Sequence, residues 1–208
     1  MSLGYDQPLY ILAFDHRGSF QKKMFGIAGE PDAKETARII DAKALIFEGL
    51  QQAFADGAAR DRAGALVDEQ FGADIARKAL ADGCKLAMPI EKSGQDEFDF
   101  DYGEDFGAHI EDFNPTFNKV LVRYNPDGDS GMNTRQTARL RRLSDWLHEH
   151  DRKFLFELLV PAEASQLESV AGDADRYDSE LRPDLMLRAI SELKSAGCRF
   201  SRFCGRLL

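Results

Sequence analysis

Short apolar runs alternate with amphipathic stretches along the chain. Residues 9–14 (LYILAF), 64–72 (GALVDEQFG), 85–94 (KLAMPIEKSG), 118–126 (NKVLVRYNP) and 153–161 (KFLFELLVP) read as strands. Helices are predicted between them. Over 33–57, Ile39, Ile40, Ala44, Leu45, Phe47 and Leu50 fall on one helical face and Gly57 supplies a stop. Residues 73–83 end at Gly83, 134–151 are amphipathic, and 182–197 carry Pro183 in the first turn and Gly197 after the last. Nearly continuous apolar strands separated by helices predict a parallel sheet covered on both faces. No linker-like or low-complexity run divides the chain, so residues 1–208 read as one domain. The acidic segment 95–107 (QDEFDFDYGEDFG) predicts a loop entering a short helix. Its glycine is misplaced for a calcium loop and no closing glutamate fits.

The strand exits share a second pattern. The first ends in Asp15-His16-Arg17, the second in Asp68-Glu69 and the third in Glu91-Lys92; the fourth carries Arg123 and the fifth Glu157. In a parallel α/β protein these ends lie on one face, where ligands bind. Each charge also has a plainer reading. Asp15 and Arg17 could form a structural ion pair, Glu69 a solvated loop residue, and Glu91 with Lys92 a surface pair. Arg123 could bridge to Glu157 across adjacent strands. Glu157 is the hardest to dismiss, because Phe154, Leu155, Phe156, Leu158 and Leu159 surround it and a carboxylate in such a run needs a partner or a task.

Composition narrows the classes. A chain of 208 residues that is 43% hydrophobic and 30% charged fits one core. Its net charge of −9 argues against nonspecific binding to nucleic acid or anionic membranes. A local basic pocket can still hold a phosphorylated metabolite. Cys84, Cys198 and Cys204 include no CxxC and suit a reducing cytoplasm. His148 and His150 sit two apart on a predicted helix and diverge, so no metal is expected there. No apolar run is long enough for a membrane span. The first seven residues lack signal-peptide character and read as a flexible or vector-derived start.

The segments AFDHRGSF, VDEQFG, IEKSG and FELLVP resemble the successive strand ends of the tagatose-1,6-bisphosphate aldolase group of class I aldolases. The similarity is closer to the aldolase-like domain fused to 5-dehydro-2-deoxygluconokinase in inositol catabolism, through YGEDFGAHIEDFNP and ELRPDLMLRAISELKSAG. It covers residues 8 to 197. The resemblance implies an α/β fold of TIM (β/α)8-barrel type and Schiff-base retro-aldol cleavage of a phosphorylated keto sugar or keto acid. The inositol context suggests 2-deoxy-5-keto-gluconate 6-phosphate. Carried over by motif, Glu157 moves protons, Lys92 supports the nucleophile, and Asp15 orients a substrate hydroxyl or the lysines. Arg17, Glu69, Glu91 and Arg123 are candidates for substrate contact. Neither metal nor cofactor is implied.

The chain departs from the pattern after Gly197. The family's Schiff-base lysine sits on strand six, whereas residues 198–208 read CRFSRFCGRLL and contain no lysine. A complete barrel needs ~250 residues, so the fold is expected to be truncated after about five or six βα units. A frameshift or truncation near residue 198, or a natural tail replacing the last strands, would produce this tail. Activity is expected to be impaired. Open sheet edges predict self-association. The rival reading is a non-catalytic module that binds sugar phosphates or a sugar-kinase domain.

Overall fold

The computed structural model describes residues 4–205. Its chain divides into two compact units: one of Asp6–Gly94 with Phe100–Lys119, the other of residues up to Tyr5, Gln95–Asp99 and the chain from Val120. This is an α/β protein with parallel strands, as the alternating pattern predicts.

In the first unit β1 (Tyr10–Ala13), β2 (Ala63–Leu66), β3 (Lys85–Pro89) and the start of β4 (Phe117–Arg123) are parallel neighbours in chain order. Tyr10 pairs with Ala63, Gly64 with Lys85, and Ala87 with Phe117. The helices are α1 (Gly18–Phe25), α2 (Ala33–Ala55), α3 (Glu69–Ala81) and α4 (Phe106–Phe113). Side chains two apart on a strand share a face. Ala63, Ala65 and Val67, with Leu86 and Met88, therefore pack against Phe47 and Phe54 of α2 and Ile75, Ala76 and Ala79 of α3.

Local chemistry sets the boundaries. Asp32 and Glu35 close a capping box at the start of α2. The second strand ends at Leu66 rather than running to Gly72, because Asp68 accepts the Phe71 N–H at 2.8 Å and starts α3. Gly72 then bends α3, where a Cβ would lie 2.2 Å from Val67 Cγ2. The third strand ends at Pro89, short of the expected Gly94. On α2 the buried positions are Ile39, Lys43, Phe47 and Phe54. Ile40 and Leu45, expected on the core face, are exposed instead. A lysine occupies the buried stripe.

In the second unit the rest of β4 is followed by α5 (Ser130–Glu149), β5 (Lys153–Leu159), α6 (Ala164–Ser169), α7 (Ala174–Arg176), α8 (Arg182–Ser195) and β6 (Arg202–Gly205). The strand order is β4-β5-β6, and β5 pairs with β6 in parallel from Leu155–Arg202 to Leu158–Gly205. Leu140, Leu143 and Leu147 of α5 and Phe154 and Phe156 of β5 are buried. Segment 95–99 is held to α5: Glu97 accepts from Arg135 Nη2 at 2.7 Å and also bonds Arg139. At the other end of α5, the Trp146 and His150 rings stack with centroids 3.9 Å apart. The expected start (1–7) and tail (198–208) fall partly outside the described residues. Among the described residues no helix is long and apolar enough to cross a membrane.

Candidate active site

The exits of β1 and β3 and the strand β4 place three charged side chains together. Lys119, in β4, donates from Nζ to Glu91 Oε1 at 2.8 Å and to Asp15 Oδ2 at 3.0 Å. The side chains of Lys119, Asp15 and Glu91 are 4%, 11% and 10% exposed. Backbone pairing fixes all three carriers. The Phe14 N–H bonds Leu66 O at 2.9 Å, continuing β1 up to Asp15. The Ile90 N–H bonds Lys119 O at 2.9 Å, and Glu91 bridges to Phe100.

Arg17 braces the same exits. Its guanidinium bonds Asp101 Oδ2 and the Glu91 carbonyl, each at 2.6 Å. Two buried atoms here have no partner among the described residues: Glu91 Oε2 and Arg17 Nε. Such orphans are rare in folded proteins. Burial raises the proton affinity of Glu91. The nearby Lys119 charge opposes this and the Asp15 charge adds to it. The two acids and one ammonium therefore share a surplus of negative charge in a dry place, and a proton on Glu91 relieves it.

Two further groups flank the cluster. Lys43 and Asp68 form an ion pair with both side chains fully buried, and Lys43 Nζ also donates to Phe14 O at 2.8 Å. Burial lowers the Lys43 pKa and raises that of Asp68, each against the pull of the other. On the outer side, His109 Nδ1 lies 2.9 Å from Glu69 Oε2, and Tyr102 stacks on the His109 ring with centroids 3.5 Å apart. Burial raises the Tyr102 pKa, and the hydrogen bond to Glu69 adds to that. These three side chains rim a small apolar pocket formed by Met88, Ile90, Phe106 and Ile110.

Asp15, Arg17 and Glu91 meet in the cluster. Glu69 instead faces His109. Lys92 is exposed. Arg123 and Glu157 belong to the second unit. Arg123 Nη1 bonds Gln95 O at 2.9 Å, and Glu157 lies half-buried in β5. The lysine at the centre, Lys119, is absent from the sequence-based set. Its signal was present: it stands in the apolar run FNKVLVR, the kind of context that singled out Glu157. Among the described residues no group of three or more histidine, cysteine or carboxylate side chains converges to hold a metal ion.

A family model for DUF2090, described as an uncharacterized protein conserved in bacteria, matches residues 4–190. The chain belongs to this family. No curated protein matches it. Asp15, Arg17, Glu91 and Lys119 all lie inside the DUF2090 match, as do Glu69, His109 and Glu157.

Proposed function

We propose that this DUF2090 chain is a lyase of the class I aldolase type, on a (β/α)8-derived fold, acting on a phosphorylated keto sugar or keto acid such as 2-deoxy-5-keto-gluconate 6-phosphate. The observation that carries the reading is the buried amine of Lys119 held between Asp15 and Glu91. Transfer of one proton from the ammonium to Glu91 leaves a neutral amine and a neutral acid. The amine attacks the substrate carbonyl, and the acid returns its proton to the departing water, leaving an iminium ion. A carboxylate then takes the proton of the hydroxyl two carbons from the iminium carbon. The carbon–carbon bond breaks, and its electrons enter the iminium to give an enamine. Protonation of the enamine carbon and hydrolysis return the free lysine. Lys119 thereby fills the role for which residues 198–208 offer no lysine.

The test is reductive trapping. The protein is incubated with dihydroxyacetone phosphate, reduced with borohydride and mapped by peptide mass. An adduct on Lys119, lost in K119M, is expected. An adduct on Lys92 instead would move the chemistry to the exposed lysine. No adduct on any lysine would sink the lyase reading and favour a module that binds sugar phosphates or a kinase domain. The reading also includes self-association in the cytoplasm; a purely monomeric sedimentation profile at micromolar concentration would remove the association.

A further inference from the structure

Lys43 is a buried charge that the proposed chemistry does not use. It stands on the core-facing stripe of α2 with Ile39 and Phe47, and its side chain has no exposed surface. Burying an ion pair is seldom a net gain in stability over apolar residues of similar volume. What Lys43 touches therefore matters. Its ammonium holds Phe14 O, the carbonyl immediately before Asp15, and Asp68, the residue immediately before Glu69. Asp68 in turn caps α3 through the Phe71 N–H. One side chain thus ties the exits of β1 and β2 to each other and to α2. The Phe20 and Phe71 rings lie 5.8 and 5.9 Å from the amine and help keep water away.

We infer that Lys43 is a positioning residue: through Phe14 O it fixes the peptide that places the Asp15 carboxylate on Lys119. The inference rests on Lys119 being the working amine, and it assigns the control of that amine's proton to a residue that never meets substrate. The chain of contacts is short. Lys43 Nζ holds Phe14 O at 2.8 Å, Asp15 follows by one peptide bond, and Asp15 Oδ2 receives Lys119 Nζ at 3.0 Å. If Phe14 O is released, Asp15 can swing off Lys119. The ammonium then loses one of its acids and gives up its proton more readily. The charges that act on Lys43 are Asp68, Asp15 and Arg17; Asp15 and Glu91 both bond Lys119.

The experiment replaces the pair without changing net charge. K43M/D68N removes one positive and one negative charge and keeps an oxygen to cap the Phe71 N–H. The reactivity of Lys119 is read by trace labelling with acetic anhydride across a pH series, with exposed Lys34 as internal reference. The expected result is a double variant that melts cooperatively near the wild-type temperature, while its Lys119 labelling at neutral pH rises about tenfold, one pH unit of displacement. D15N, which weakens the pair directly, should show the same displacement. A folded double variant with an unchanged Lys119 profile would overturn the inference and leave the pair purely structural. If the double variant fails to fold, D68N is read together with K43M, which deletes the donor to Phe14 O. An unmoved Lys119 profile in folded K43M overturns the inference equally. Labelling needs no turnover. Failure of ketone trapping in the wild type therefore counts against the lyase reading alone, and failure of the pH displacement against the positioning role alone.

Discussion

Lys119 Nζ lies 2.8 Å from Glu91 Oε1, with both side chains buried and a second carboxylate, Asp15, 3.0 Å from the same nitrogen. Removing the lysine strands two acids in a dry environment. K119M is expected to lower stability by about 3–5 kcal/mol, the usual cost of breaking a buried pair by deleting one partner. K119M/E91L should recover a large part of that loss, because it also removes the acid with the least access to water. Urea denaturation at neutral pH checks both. If K119M is as stable as the wild type, the ion pairs do not form in solution.

Gly64 faces Lys85 across β2 and β3, and a Cβ placed on it would lie 2.4 Å from the Lys85 carbonyl oxygen. That neighbour is backbone and has little room to yield. G64A should therefore destabilise the protein by about 1–3 kcal/mol, the range for forcing added volume into a packed site. A thermal melt of G64A against the wild type decides it.

How far these features could be read in advance depends on what each signal encodes. The parallel α/β layout was visible because apolar strands and amphipathic helices differ in period. Asp15, Arg17 and Glu91 were visible because each stands just past an apolar run. Lys119 carried the same signal as Glu157, a charge inside an apolar run, but nothing in that run named its acids. Lys43 carried none, because a lysine on an amphipathic helix reads as a surface position until a specific acid is placed beside it. Their acids come from far along the chain: Glu91 is 28 residues from Lys119, and Asp68 is 25 from Lys43. Glu69 shows the converse. Its position past β2 was legible, but its partner His109, 40 residues away on α4, was not.

Glu97 gives a prediction in pH. Its hydrogen bonds to Arg135 and Arg139 lower its pKa from 4.5 to about 2. A carboxylate with a depressed folded-state pKa adds stability that is fully present above its unfolded value and lost as pH falls through the folded one. Stability from this contact should thus fade between pH 4.5 and about 2. Denaturation midpoints collected over that window should fall less steeply in E97Q than in the wild type. Parallel curves would show that the arginines do not hold segment 95–99.

The Glu69–His109 contact predicts a tautomer. With Nδ1 2.9 Å from the Glu69 carboxylate, neutral His109 should carry its proton on Nδ1 and leave Nε2 as the acceptor. Nitrogen chemical shifts of the imidazole should show that form in the wild type and a loss of the preference in E69Q. The Nε2–H form in the wild type would rule out the contact.

The stacking of Trp146 on His150 decides what an optical experiment would see. Trp146 is the one tryptophan of the chain, and it lies beside the last turn of α5, in the second unit. Intrinsic emission is therefore a local gauge of that helix end. A helix terminus opens more easily than a core. Emission should then change before the helical circular dichroism does as denaturant is raised, and the gap between the two curves would record fraying at one stacked ring rather than a populated folding intermediate.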